Sequence, residues 1–293
     1  MTRLHLRSLA LLLLTTLIWG TTFPLLKDVV GTLSPASLVS SRFLIAALLM
    51  LPFCRFRQLN RRLLRHGSLL GLVAFLSCLT QVVGLETVSA NRAAFITSLN
   101  VVIVPLLSWL LGRGVTLKIF AAAGLAFAGI AVMSWEAGAL TWGDLWVLGC
   151  AVSYAVYILL TEAVASQHPP LQLTAVQLVT IALLGLLWAG LTGGSLAGES
   201  QSGGSQLAAV AAHWGTILYL GVVATAVTTL TQVVAQRHLS ATEAAIIYTL
   251  EPVFAVLFSF WWLAERLNGR EALGGGMILA AMLLSQIGPA EKS

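Results

Sequence analysis

The sequence predicts an all-α membrane protein of ten transmembrane helices, arranged as two inverted five-helix repeats. Three observations carry that expectation: a composition foreign to water, an internal duplication, and a lopsided distribution of lysine and arginine. The 293 residues are 58% hydrophobic and 9% charged, with a mean hydropathy of +0.92. Soluble domains carry roughly 25% charged residues, so most of this chain is suited to hydrocarbon. The duplication shows when QVVGLETVSANRAAFITSLN, from Gln81, is laid over QVVAQRHLSATEAAIIYTLE, from Gln232. At a constant offset of 151 residues Gln81, Val82, Val83, Ser89, Ala90, Ala93, Ala94, Ile96 and Leu99 match their partners. Weak internal symmetry inside apolar sequence is a mark of many secondary transporters.

Runs of roughly 20 apolar residues can each cross a bilayer, and ten follow in order. The first, 8–28, follows Arg3 and Arg7 and starts like a signal peptide. Trp19 and Phe23 spoil the candidate cleavage positions, so it reads as an uncleaved helix. The second, 34–53, opens at Pro35, and 67–86 follows a short loop holding Arg55, Arg57, Arg61, Arg62 and Arg65. Segment 92–111 carries Pro105, and 117–135 carries Gly124 and Gly129. The second half repeats the plan at 142–164, 171–191, 213–235, 241–263 and 271–288. Gly193 to Gly204 is the one long connection, Gly/Ser-rich and flexible in composition. Two five-span domains are therefore expected, 1–138 and 139–293. An odd number of spans per repeat turns the second copy upside down.

The basic residues orient the bundle. With the N-terminus inside, Arg3, Arg7, Arg55, Arg57, Arg61, Arg62, Arg65, Arg113, Lys118, Arg237 and Lys292 lie inside. Lys27, Arg92, Arg266 and Arg270 lie outside, and Arg42 falls within a span. The bias predicts both termini in the cytoplasm of a bacterial inner membrane. Trp135, Trp142, Trp146, Trp188, Trp214, Trp261 and Trp262 mark the outer interface, Trp109 the inner one, and Trp19 sits at mid-membrane. The clustered arginines orient a membrane protein, and no nucleic-acid partner is expected. Cys54, Cys78 and Cys150 read as free thiols.

Spread over this frame are Trp19-Gly20-Thr21-Thr22-Phe23, Pro35 with Arg42, Ala93-Ala94 with Pro105, and Ala244-Ala245. Leu250-Glu251-Pro252-Val253, Leu263-Ala264-Glu265-Arg266-Leu267 and Gly274 to Gly276 follow. In order and spacing the chain resembles the drug/metabolite transporter superfamily, in its ten-helix EamA-type branch. The resemblance implies export or exchange of small metabolites, amino-acid efflux among them, with aromatic amino-acid exporters the nearest activity. One departure stands out: where the second half has Glu265, the first has Gly114 beside Arg113.

Ionisable groups inside a span are costly and need a reason. Glu251 lies ten residues from the inner end of its span, roughly 15 Å at the helical rise and close to the midplane. It reads as the binder of a substrate ammonium or carrier of a coupling proton, or as a structural partner of Arg42. Arg42 reads first as a structural arginine and second as a clamp for a substrate carboxylate. Asn100 is the repeat partner of Glu251, and each sits near a proline. Thr225, Thr229, Gln232 and Gln236 share one helical face, as do Ser77 and Gln81. The mid-membrane aromatics with a polar handle are Trp19, Tyr154, Tyr157 and Tyr248. Together Trp19, Gln81, Asn100, Tyr154, Tyr157, Gln232, Tyr248 and Glu251 form the expected site for a zwitterion with an apolar side chain. Spans one, three, four, six, eight and nine are expected to line it.

No HExxH, Walker A lysine motif or GxSxG elbow is present. Neither an enzyme nor a cofactor or metal is expected, and transport would run on gradients. Rival cargoes are drugs, nucleotide-related molecules or lipids, the last needing a lateral opening. A sugar-nucleotide carrier would want several cavity cations, and only Arg42 is on offer. A membrane-embedded enzyme lacks its constellation, and a pure scaffold leaves the paired mid-span polar groups unexplained.

Overall fold

The computed structural model describes residues 3–112, 117–134, 141–192 and 205–286. Gly193 to Gly204, Arg113, Gly114, Trp135 and Lys292 lie outside the described residues. All regular elements among the described residues are helical. In the first half these are α1 (Arg3–Val30), α2 (Pro35–Met50), α3 (Arg61–Leu85), α4 (Ala90–Thr97), α5 (Asn100–Leu110) and α6 (Leu117–Ser134). The second half holds α7 (Trp142–Ala165), α8 (Pro170–Leu191), α9 (Gln206–Ala212), α10 (Trp214–Gly221), α11 (Thr228–Gln236), α12 (Ala241–Tyr248), α13 (Glu251–Leu263) and α14 (Gly269–Gln286). A π-helical segment, 222–227, joins α10 to α11.

Eight stretches are long and apolar enough to cross a membrane, counting α4–α5, α10–α11 and α12–α13 as one each. The shorter apolar helix Leu117–Met133 and α14 pack against one another. With them the plan is ten helices in two five-helix halves, in an integral membrane protein. Pairing follows the inverted design. α2 packs on α8 and α6 on α14; α1 meets α13 as α7 meets α4 and α5.

The repeated residues have structural work to do. Ser89 and Ser240 are the N-caps of α4 and α12, their hydroxyls accepting from Arg92 N and Glu243 N. Ala93, Ala94, Ala244 and Ala245 are fully buried, because small side chains let helices approach where lipid supplies no hydrophobic drive. The closest approaches use glycine. A Cβ at Gly20 would lie 2.5 Å from the Phe254 Cβ, and one at Gly274 would lie 2.6 Å from the Gly129 carbonyl oxygen.

Two breaks fall at repeat-related places, Ser98–Leu99 and Thr249–Leu250. At each a hydroxyl turns back on its own helix: Ser98 Oγ donates to Ala94 O at 2.8 Å and Thr249 Oγ1 to Ile246 O at 2.6 Å. Pro252, at the second position of α13, has no N–H to continue the ladder through Tyr248. The breaks leave Asn100 and Glu251 as the first residues of α5 and α13, so two helix N-termini open near the midplane. Such half-helices place partial positive charge inside a transporter's membrane core.

Both ends of the bundle are tied. At the end carrying the N-terminus, His5 Nε2 lies 3.4 Å from Glu243 Oε1 and Ala241 N donates to Glu162 Oε1 at 3.1 Å. Arg62 donates to Gln167 Oε1 at 2.6 Å, and the His66 and His168 rings meet at 2.8 Å between Nδ1 and Nε2. At the far end Arg92 pairs with Asp144, Lys27 Nζ donates to Leu85 O at 2.7 Å, and Asn91 N donates to Glu265 Oε1 at 3.2 Å. Glu265 thus serves the N-terminus of α4. At the N-terminus of α12 that service comes from Glu162 on α7.

Candidate functional site

α1, α2, α3, α7, α8 and the π segment meet around a cavity of about 90 Å³ at mid-bundle, which Thr97 and Glu251 also line. Of the residues expected from sequence, Trp19, Gln81, Tyr154, Tyr157, Gln232 and Glu251 line it, and so does Arg42. Tyr248 stands directly behind, fully buried, with its ring 5.5 Å from that of Trp19 and 6.1 Å from that of Tyr154. Trp19 meets Tyr154 edge-on at 5.6 Å, and Tyr154 stacks on Tyr157 at 5.7 Å. The four rings are one aromatic wall, held at the centroid spacings aromatic pairs prefer. Gln232 Nε2 donates to the Tyr154 hydroxyl at 3.0 Å, and the Tyr157 hydroxyl donates to Gln177 Oε1 at 2.8 Å.

Asn100 is placed differently. It is fully buried, donating Nδ2 to Thr97 O at 2.8 Å, with Oδ1 lacking a partner among the described residues. The polar stripes also divide. Thr225, Thr229 and Gln232 face the cavity, whereas Gln236 donates to Ile158 O at 3.3 Å across a helix interface. On α3 the cavity residue beside Gln81 is Cys78; Ser77 is turned to Cys150, 3.3 Å from its sulfur. The lining also extends to Arg42 and Phe43 of α2 and Ile181 of α8. Opposed repeats put the inner parts of these helices against the same midplane space.

The charged residues do not neutralise each other. Arg42 is 8% exposed and donates Nε to Thr225 Oγ1 and Nη2 to Ala224 O, the latter at 3.1 Å. The π segment makes this possible: its widened turn has Thr225 Oγ1 donating to Leu220 O, five residues back. Arg42 is thereby held by the π segment while still reaching the cavity. Glu251, 5% exposed, has no hydrogen bond or ion pair among the described residues, so a structural bridge to Arg42 is absent. Arg42 and Glu251 thus line one small cavity together with Trp19, Tyr154 and Tyr157. No group of His, Cys, Asp and Glu suited to a metal ion occurs among the described residues.

Sequence reasoning missed Gln177, which orients Tyr157. Ser34-Pro35 and Pro169-Pro170 each open a helix, and at that offset of 135 residues Gln177 is the counterpart of Arg42. The same offset relates Trp19 to Tyr154 and Lys27 to Glu162. That second offset was the signal available.

The EamA-like transporter family matches residues 6–135 and 141–286, nearly the whole described chain. The chain belongs to the EamA-like transporter family. It is 31% identical over 274 residues to an uncharacterized transporter of Archaeoglobus fulgidus, covering 93% of this chain and 83% of that relative. A second uncharacterized transporter of that organism is 28% identical over 279 residues, covering 94% and 95%. A crystal structure superposes with a TM-score of 0.67 at 19% identity over 96% of this chain and 97% of that one, a likeness of fold. This EamA-family member is a membrane transporter and not an enzyme.

Proposed function

We propose that this transporter exports amino acids with apolar or aromatic side chains, or close chemical relatives, from the cytoplasm of a bacterium. Both termini would face the cytoplasm, and the two halves, 1–138 and 139–293, would rock about the central cavity in alternating access. The observation that carries the reading is the pairing of Arg42 and Glu251 on one aromatic-lined cavity, each free of the other. A substrate carboxylate would meet Arg42 and an ammonium Glu251, while the side chain packs on Trp19, Tyr154 and Tyr157. Gln81 and Gln232 would supply hydrogen bonds, Tyr248 would support the rings, and Asn100 would carry the corresponding helix N-terminus of the first half. Glu251 is also the candidate for ion coupling. Cargo would pass when the ties at one end of the bundle open while those at the other hold.

The test is uptake of labelled phenylalanine, tryptophan and threonine into liposomes containing purified protein, with and without an imposed pH gradient. Saturable uptake of the two aromatic amino acids over protein-free vesicles supports the reading, and acceleration by the gradient assigns coupling. Absence of uptake of all three by folded, inserted protein would reject the cargo and favour drug, nucleotide-related or lipid substrates.

A further inference from the structure

The two ends of the bundle are tied by one device with its charges exchanged. At the far end Arg92, the third residue of α4, pairs with Asp144 near the start of α7. At the end carrying the N-terminus Glu243, the third residue of α12, meets His5 near the start of α1, with Nε2 3.4 Å from Oε1. Arg92 and Glu243 are partners at the 151-residue offset. Each carboxylate also closes a capping box on its own helix, Asp144 with Thr141 and Glu243 with Ser240. Glu243 Oε2 accepts from Ser240 N at 2.9 Å and from Ser240 Oγ at 3.0 Å, which leaves Oε1 for His5. Each tie holds the capped end of a broken helix against the opposite half of the chain, α4 against α7 and α12 against α1. Rocking of the halves must break them one at a time.

The ties differ in what they need in order to form. The far one is buried, its side chains 14% and 1% exposed, and arginine with aspartate is a charged pair throughout the physiological range. The other is 24% and 39% exposed, and its cation is an imidazole, a group whose charge changes between about pH 5 and 8. We propose that His5 and Glu243 form a pH-sensitive latch on access to the central cavity, shut while His5 is protonated and released as the pH at that face rises. The inference rests on the alternating-access reading and not on the cargo. With the N-terminus in the cytoplasm, acid there holds the inner end shut and slows loading.

Other ionisable groups share that end. α1 itself carries Arg3 and Arg7, α3 begins with Arg61, Arg62, Arg65 and His66, and Arg237 and His238 are exposed in the turn before α12. Glu162 stands across the start of α12, accepting from Ala241 N. The two further histidines gain charge over the same range, so a pH profile alone does not identify the latch. Substitutions at positions 5 and 243 do.

The test follows hydrogen exchange of the peptide 237–248 in nanodisc-embedded full-length protein between pH 6 and 8.5, with His5, His5→Gln or His5→Lys. Each rate is divided by that of His5→Gln at the same pH, which cancels the intrinsic pH dependence of exchange. With His5 the ratio should be about two- to fivefold below one at pH 6, the scale of a partly exposed ion pair, and return to one at pH 8.5. With His5→Lys it should stay low throughout. Glu243→Gln, which retains a capping-box side chain, should bring all three proteins to one rate. Modification of Cys78, a cavity-lining thiol, by a membrane-impermeant methanethiosulfonate added at the N-terminal face should follow the same ratios in protein carrying Cys54→Ser and Cys150→Ala. A ratio that is flat with pH, persists in Glu243→Gln, or is not followed by Cys78 would overturn the proposal. Neither readout uses an amino acid, so rejection of the cargo by uptake assays leaves this result standing.

Discussion

Replacing Glu251 with glutamine removes an ionisable group from the central cavity and leaves its shape almost unchanged. The carboxylate has no protein partner to lose among the described residues. Its contact with the fold is its place as the first residue of α13, where a negative charge facing the helix N-terminus contributes about 0.3–1 kcal/mol. An unpaired buried charge costs more in desolvation than the helix N-terminus returns, so the melting temperature should hold or rise slightly. A docked ammonium is a different matter, since a hydrogen bond to a charged group contributes about 1.5–3 kcal/mol. That corresponds to roughly 10- to 150-fold in affinity. The assay is equilibrium binding of phenylalanine, phenethylamine, which lacks the carboxylate, and 3-phenylpropionate, which lacks the ammonium. Glu251→Gln should weaken the two amines by this factor and leave 3-phenylpropionate unaffected. Equal losses for all three ligands, or none, in protein with a near-native melting temperature would refute an ammonium site at Glu251.

Other expectations address the frame around the site. Asp144 is 1% exposed, pairs with Arg92, and closes a capping box with Thr141. Asp144→Ala removes all of these, and at about 3–5 kcal/mol for breaking a buried pair should lower the detergent melting temperature by about 10 °C or more. Gly20→Ala forces apart α1 and α13, because the new methyl would sit 2.5 Å from the Phe254 Cβ. Overpacking of this kind costs about 1–3 kcal/mol, and Trp19 moves with α1, so initial transport rates should drop. Gly124→Ala, where nothing lies within 4 Å, should leave transport rates unaltered. Burial, with His66 and Arg62 nearby, holds the His168 imidazole below its ordinary value near 6.5. A folded state that resists protonation is fully stable above the unfolded value and loses stability as pH falls below it. Melting curves between pH 8 and 5 should therefore show acid destabilisation that is reduced in His168→Asn.

The ten helices, their inverted halves and the aromatic wall are legible in the one-dimensional pattern. Span length, basic-residue bias and a repeat of 151 residues are local or additive properties, set by what hydrocarbon tolerates at each position. Glu251 and Trp19 stand out for the same reason, being costly or amphipathic groups in runs that otherwise avoid them. Direction around a helix is harder to read, and there the folded chain decided. Cys78 displaced Ser77 from the cavity because neighbouring residues on a helix point about 100° apart and packing against Cys150 chose between them. The separation of Arg42 from Glu251 also required three dimensions. It rests on the π turn at 222–227, which offers Ala224 O and Thr225 Oγ1 to the guanidinium. Periodicity carries no trace of that turn, since a π insertion depends on what the neighbouring helix needs to bond.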